Sequence, residues 1–439
     1  MNKNLLIVAY YFPPSGGPGV QRVLKHVRYL PEFGWNPIVL TVSNGDFPAR
    51  DESLLKEIPV GLQVERTHIY EPYDLYRLLT GKKKGTAIDV NVIKKEGQKS
   101  GFKDQLAEFI RATFFIPDAR IGWMISAPKA IDNLVKSTGI DAVYSSSPPY
   151  TCSIIARYAK RKYKLPWVAG FRDPWTGFIS SPNRWILPSM IDRAMEKSVF
   201  KEADQIECAW KGIIKDALSK YPDIDPNKFH HVPNGFDSAD YPVTSSQRNN
   251  RFTITYTGSM YGRRNPSSLF EAIEKLLLNN RISKEEFLLR FIGRFGNEVH
   301  EMFDKSSFRD SIELISYIPH SESIEYLMRS DVLLLVVDES KESEEIVPGK
   351  VYEYIGTRIP VFAIAPEHSA IAELMEETKA GSVAHQTNVE KIGEIFMNYF
   401  NQWKFQTSEF KPNVTAVNAY ERKESARKLS LLLNSLVQK

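Results

Sequence analysis

Three charged residues in one short stretch have the types and spacing to hold an anionic, hydroxyl-rich ligand. Glu345, Lys350 and Glu353 lie in Glu345-Ile346-Val347-Pro348-Gly349-Lys350-Val351-Tyr352-Glu353-Tyr354-Ile355-Gly356, with residues 346–352 between the two carboxylates. The stretch reads as loop, short helix and turn, and runs on into a strand at Ile359-Pro360-Val361-Phe362-Ala363-Ile364. Pro348 suits the first helical position, where its missing N–H would be unpaired anyway. Gly356 suits the left-handed position just past the helix end. A helix N-terminus offers free N–H groups and partial positive charge, which favour phosphate, and Lys350 adds a full charge in the first turn. A cation beside two carboxylates fits a ligand that is anionic in the middle and carries hydroxyls at both ends, as a nucleotide sugar does. The alternative is a capped surface helix with solvated charges.

Other clusters invite similar chemistry. Pro13-Pro14-Ser15-Gly16-Gly17-Pro18-Gly19 follows a continuous apolar run, Leu5–Ala9. Gly16 and Gly17 would let backbone N–H groups approach an anion or sugar closely. The loop is not GxGxxG, so no dinucleotide site is read; the plainer reading is a flexible turn. Arg172-Asp173-Pro174-Trp175 stands at the end of the run Pro166–Phe171, where either Asp173 contacts a ligand or it caps the next helix. Gly258-Ser259-Met260-Tyr261-Gly262-Arg263-Arg264 follows a third run, Phe252–Thr257. Arginine forks pair bidentately with phosphate, and glycine clears space for it; a solvated basic turn is the alternative. Gly293 opens the loop after Phe287–Ile292, and Ser316-Tyr317-Ile318-Pro319-His320 reads as another strand end.

The elements that must position these residues are legible in the same runs. Continuous apolar segments mark strands buried on both faces of a parallel sheet. Between the first two, Val20, Val23, Leu24, Val27 and Leu30 fall at helical spacing, with Arg22, Lys25 and Arg28 on the other face. Gly34 ends that helix, and Pro37–Val42 follows as a strand, completing a βαβ unit. At 439 residues the chain suggests two or three domains. A 42% apolar and 25% charged composition is that of an ordinary globular protein. The net charge, 57 − 53 = +4, is too mild to imply nucleic acid. Two cysteines, Cys152 and Cys208, argue against a disulfide framework or a Cys-rich metal site and fit a reducing cytoplasm. Met1–Tyr10 reads as a first strand rather than a signal peptide, and no apolar run approaches the roughly 18 residues of a membrane span.

Taken in order, these motifs resemble family 4 glycosyltransferases of the GT-B fold. Glu345 and Glu353 match the family's E-x7-E pattern, and Val347–Tyr354 matches V-P-G-K-x-x-E-Y. His231-Val232-Pro233-Asn234-Gly235-Phe236-Asp237 contains the signature V-P-N-G-F-D that closes the family's first domain. The resemblance implies an α/β protein of two Rossmann-like, doubly wound domains facing across a cleft. It places an acceptor-binding domain over 1–243, with 70–120 as a membrane or acceptor insertion. A nucleotide-sugar-binding domain would span 251–415, and a helix over 416–439 would cross back. The polar stretch 244–250 marks the boundary.

The same resemblance implies sugar transfer from a nucleoside-diphosphate donor to a glycan or lipid-linked acceptor. Retention of configuration is expected, no metal or cofactor is needed, and the setting is bacterial cell-surface polysaccharide synthesis. Asp173, Arg172 and Glu345 are the expected catalytic residues. Gly16, Gly17, Gly258, Arg263, Arg264, Gly293, Ile318, Pro348, Gly349, Lys350 and Glu353 are the expected donor-binding set. In this chain Arg172 stands where the family often has histidine, Ser153 where related sequences carry another, and Ser259 where an arginine would be. Arg263 is the candidate substitute for that arginine. A GT-B epimerase and a non-catalytic sugar-nucleotide-binding protein are the alternatives. Residues 70–120 combine Lys82-Lys83-Lys84, further lysines as far as Lys103, and the apolar cluster Phe109, Ile110, Phe114, Phe115 and Ile116. A basic stretch beside aromatics can lie on an anionic membrane surface, which would give a cytoplasmic protein peripheral to the inner face. The alternative there is a solvated loop followed by a core helix.

Overall fold

The structure is a computed structural model that describes residues 2–47, 49–71, 109–110, 112–178, 181–242, 250–262, 264–337, 344–345, 347–407 and 409–437. The chain forms two compact units: Met1–Pro233 with Ser425–Lys439, and Asn234–Glu424.

The first unit is built on a seven-stranded sheet. Its strands are β1 (Lys3–Ala9), β2 (Trp35–Val42), β3 (Gln63–Thr67), β4 (Ala142–Ser147), β5 (Trp167–Phe171), β6 (Gln205–Cys208) and β7 (Phe229–His231). They lie in the order β3-β2-β1-β4-β5-β6-β7, and every neighbouring pair is parallel. Among the described residues its helices include α1 (Pro18–Tyr29), α2 (Ala127–Thr138), α3 (Thr151–Tyr163), α4 (Ile186–Glu202) and α5 (Lys211–Lys220). The continuous apolar run of β1 has its physical reason here, because both faces are covered. Leu6 and Val8 pack with Trp123, Ile131 and Ile155 on one side. Leu5, Ile7 and Ala9 pack with Val20, Val23, Leu24 and Val27 on the other.

The basic face of α1 is mostly buried. Only Arg28 of its three basic residues is exposed. Arg22 is buried and pairs with Glu207 at 2.6 Å, and Lys25 is buried and reaches Glu57 at 3.2 Å. Helical spacing placed them opposite the apolar stripe, but this helix is covered on more than its sheet-facing side.

The second unit carries a six-stranded sheet in the order β10-β9-β8-β11-β12-β13, again all parallel. Its strands are β8 (Phe252–Met260), β9 (Phe287–Phe295), β10 (Ile312–Ile315), β11 (Val332–Val336), β12 (Val361–Ile364) and β13 (Gly381–Ala384). Among the described residues seven helices follow: α6 (Ser267–Leu278), α7 (Asn297–Lys305), α8 (His320–Met328), α9 (Gly349–Thr357), α10 (Ala370–Thr378), α11 (Val389–Phe405) and α12 (Val414–Asn418). The last helix, α13 (Arg422–Val437), starts in the second unit, and from Ser425 it belongs to the first. There Leu429 and Leu433 join the β1–α1 core.

The units divide after Pro233, ahead of the polar stretch 244–250. Asn234 onward belongs to the second unit because Phe236 exchanges backbone bonds with Tyr420 and Arg422, and Tyr241 donates to Glu353 O. The strand end read at Ser316–His320 also moves: β10 stops at Ile315, and His320 opens α8. In both sheets the strand order reverses beside the first strand, between β1 and β4 and between β8 and β11. Open α/β sheets bind ligands at such a switch point, outside the carboxyl ends of the strands.

Candidate functional site

In the second unit the switch point is shaped by two glycines. Gly258 near the end of β8 has φ 111°, and its register partner on β9, Gly293, has φ 141°. A Cβ on Gly293 would lie 2.1 Å from Gly258 O, and one on Gly258 would lie 2.6 Å from Lys350 Nζ. Only glycine therefore lets the strand ends close up and leaves room for the lysine head. That head donates to Thr257 O at 2.6 Å and to Tyr256 Oη at 2.8 Å, and it sits 4.0 Å from the Tyr256 ring centroid. Desolvation, with a smaller effect from Arg264, lowers the Lys350 pKa to about 7, while Glu353 pulls the other way. An ammonium so poised gains most from an incoming anion.

Lys350 is in the first turn of α9, directly after Gly349. Among the described residues nothing lies within 4 Å of where a Gly349 Cβ would be and no side chain caps this N-terminus, while Val351 N donates to Pro348 O at 3.1 Å. Pro348 is the cap residue here, one place earlier than the sequence suggested, and Arg358 takes the left-handed conformation assigned to Gly356. Gly356 is needed for a different reason. A Cβ there would lie 2.3 Å from Tyr241 Oη and 2.5 Å from the Phe236 ring. The helix is pinned to β8 by Tyr354, whose hydroxyl accepts from Thr257 N at 2.8 Å. One turn beyond Lys350, the Glu353 carboxylate meets His320 Nε2 at 3.0 Å. Ile318 is half-buried in the extended segment that leads to His320. Glu345 is exposed in the turn before α9. Arg264 follows the loop after β8 and lies close enough to Lys350 to affect its charge, whereas Arg263 lies outside the described residues.

In the first unit the switch point gathers a different set. The Arg172 guanidinium donates to Gly19 O at 2.5 Å and to Pro148 O, tying the β1–α1 loop to the β4–α3 loop. A Cβ on Gly19 would lie 2.7 Å from Arg172 Nη1. Arg172 thus holds the glycine loop in place, a positioning role that its residue type did not reveal. Gly17 caps α1 at φ 91°, and Gly16 N donates to Ala49 O at 2.9 Å.

Asp173 caps nothing, since the next helix begins at Ile186 behind Trp185. Its half-buried carboxyl accepts no hydrogen bond from any described residue. Burial raises its pKa above the usual carboxylate range, partly offset by Arg172. The loop behind it is stiffened by Tyr150, which stacks on Trp175 at 4.6 Å and donates to Pro174 O at 2.5 Å. Ser153 is buried and bonded to Ser147 Oγ at 2.8 Å, so it stands in the core. Tyr256 was not singled out in the sequence, because it sits in an apolar run where an aromatic is indistinguishable from core. Among the described residues no group of three or more His, Cys, Asp or Glu side chains is placed to hold a metal ion.

The profile of Glycosyltransferase Family 4 matches residues 19–240, and that of Glycosyl transferases group 1 matches residues 239–409. The chain belongs to glycosyltransferase family 4. No curated protein sequence matches it. Solved structures share the fold of this glycosyltransferase from end to end at low identity. A glycosyltransferase from Rickettsia africae ESF-5 is 14% identical with a TM-score of 0.64, covering 100% of this chain and 99% of that one. Sucrose-phosphate synthase from Thermosynechococcus elongatus is 12% identical at 0.60, covering 100% of both chains. The lipopolysaccharide outer core galactosyltransferase WaaB is 12% identical at 0.55, covering 98% of this chain and 99% of that one. The fold is GT-B, with two parallel-sheet Rossmann-like domains, and the protein is a glycosyltransferase.

Proposed function

We propose that this enzyme moves a sugar from a nucleoside-diphosphate donor, bound mostly on the second unit, to a glycan or lipid-linked acceptor held mainly by the first. The observation that carries this reading is Lys350. Its desolvated ammonium lies in the first turn of a helix whose N-terminus no described side chain caps, beside a glycine that makes room for it. The bond between the anomeric carbon and the diphosphate breaks as the acceptor oxygen forms the new bond, and the acceptor's proton passes to the departing diphosphate oxygen. Charge then grows on the leaving diphosphate, and Lys350, Arg264 and the first-turn N–H groups of α9 are the groups to stabilise it. Glu353, oriented by His320, would take the ribose hydroxyls, and Glu345 the donor sugar. Asp173 would face the sugar or acceptor near the reacting carbon, with Arg172 holding the loops around it.

Family membership supports retention of configuration. The likeness to a lipopolysaccharide galactosyltransferase supports a place in cell-surface polysaccharide synthesis. A lipid-linked acceptor and the basic run Lys82–Lys84 support a cytoplasmic location at the inner face of the membrane; that run lies outside the described residues. Among the described residues no helix is long and apolar enough to cross a membrane. The test is a thermal-shift panel of UDP-, GDP-, ADP- and dTDP-linked sugars, followed by turnover with and without acceptor. One nucleotide class should raise the melting temperature. No shift with any of them would overturn the donor site.

A further inference from the structure

Helix α4 is inside out. Its inward residues include two carboxylates, Asp192 at 5% exposure and Glu196 at 0%. Both are fully engaged: Asp192 accepts from Trp175 Nε1 and Arg184 Nε, each at 2.8 Å, and Glu196 accepts from Thr176 and Tyr221. The outward residues of its first two turns are apolar. Ile186 is 79% exposed and Met190 63%, with Leu187 and Ile191 beside them at helical spacing.

The patch extends past the helix. Trp185 is exposed, and its indole N–H donates to Thr113 Oγ1 at 3.0 Å. Arg184, buried beneath, donates to Ala112 O, Phe115 O and Pro117 O, which fixes exposed Phe114 next to α4. Large apolar side chains gathered on one exposed helix face and rimmed by charge mark an interaction site. Its charges indicate the partner. Arg193, Lys197 and Lys201 form a basic stripe one turn apart along the rest of α4. Lys197 also reaches Asp223. The helix turns no acid outward before Glu202.

We propose that the amino-terminal half of α4, with Trp185 and Phe114, docks on an anionic phospholipid surface. Apolar side chains enter the headgroup boundary, the indole lies at the interface, and the basic stripe meets the lipid phosphates. A protein partner would have no need for every acid to be turned inward. The inference deepens the membrane location proposed above, but it rests on α4 and not on the lysine run.

The experiment is co-sedimentation of the full-length protein with vesicles of phosphatidylglycerol and phosphatidylcholine at low salt. Wild type should sediment, and less so with phosphatidylcholine alone or at high salt. Leu187→Glu with Met190→Glu should weaken binding about tenfold per side chain, and Arg193→Glu about fivefold. Leu278→Glu, at a still more exposed position in the second unit, should change nothing. Because these side chains are already exposed, melting temperatures should hold. Nucleotide-sugar thermal shifts should also persist in the double variant, which separates failure of docking from failure of the donor site. Three outcomes would overturn the inference. Wild type could stay in the supernatant. The double variant could sediment as wild type does, with binding lost on replacing Lys82, Lys83 and Lys84 instead. Or the face could hold a dimer that Leu187→Glu dissociates, without any vesicle binding.

Discussion

Lys350 permits a prediction with a slope, because its ammonium is desolvated before any ligand arrives. In the free protein its pKa is lowered to about 7, chiefly by burial and then by Arg264. A diphosphate placed against it favours the charged form and restores the pKa toward the ordinary value of about 10.4. The sign follows. Below about 7 the lysine is charged in both states, and affinity for a nucleoside diphosphate does not depend on it. Above about 7 the free protein must take up a proton to bind, so Kd rises about tenfold per pH unit, or about 1.4 kcal/mol each. Between about pH 7 and 9 the expected loss is about a hundredfold, a window above the second phosphate ionisation near 6.

The assay is calorimetry with the nucleoside diphosphate chosen by the thermal-shift panel. Repeating it in two buffers of different protonation enthalpy counts protons, and uptake should approach one at alkaline pH. Lys350→Met keeps the shape of the side chain and should flatten the slope. It should also lower kcat more than it raises the donor KM, by about 2–4 kcal/mol in all, because charge on the diphosphate grows toward the transition state. Stability gives an independent reading. Between about 7 and 10.4 the unfolded wild-type chain binds more protons at this position, so stability rises with pH across that window, and Lys350→Met should remove the rise. Wild-type affinity that stays flat from neutral to alkaline pH, or an unchanged slope in the variant, would refute the placement of the diphosphate at α9.

Two further predictions concern the carboxylates. Asp173→Asn preserves size and disturbs no hydrogen bond among the described residues, so melting temperature and donor binding should hold while transfer falls about a hundredfold or more. Equal turnover would remove Asp173 from the reacting centre. Glu353→Ala should chiefly raise donor KM, by about tenfold or more, since ribose hydrogen bonds are present in both ground and transition states. His320→Ala should move KM the same way by less, and both variants should discriminate less between ribose and 2′-deoxyribose donors. A fall in kcat at unchanged KM would place Glu353 elsewhere.

What could be read without coordinates follows from the range of the forces involved. The strands were legible because a parallel sheet covered on both faces demands continuous apolar runs, and Leu5–Ala9 and Val332–Val336 are such runs. The cation between two carboxylates was legible because it lies within one stretch of chain. What local pattern missed most clearly involves partners distant in sequence. Gly356 was read as a helix terminator, yet its reason is Phe236 and Tyr241, which no local pattern shows. Spacing placed Arg22 and Lys25 on the face of α1 opposite its apolar stripe, but it could not show that they are buried there against Glu207 and Glu57. For Arg172, expected as a catalytic residue, the contacts that local pattern could not show are those of Nη1 and Nη2 with the carbonyls of Gly19 and Pro148.

The buried charge on α1 shows why a helix would carry such residues. Arg22 bonds Glu207, and Tyr144 donates to the other oxygen of that carboxylate at 2.5 Å. The same guanidinium donates to Val232 O at 2.7 Å and Pro233 O at 3.2 Å, at the point where the chain leaves the first unit. One turn later His26 Nε2 lies within hydrogen-bonding distance, 3.2 Å, of Ser425 Oγ, where the chain returns. Burying an ion pair gains little net stability over an apolar core, and removing one partner costs about 3–5 kcal/mol. Such a pair is therefore better explained by geometry than by stability. A single helix presents the Gly16–Gly17 loop at its N-terminus, with Arg172 fastened to Gly19 in its first turn, and holds both chain crossings along its next two turns. The loop at the switch point and the two crossings are thereby fixed to one rigid element.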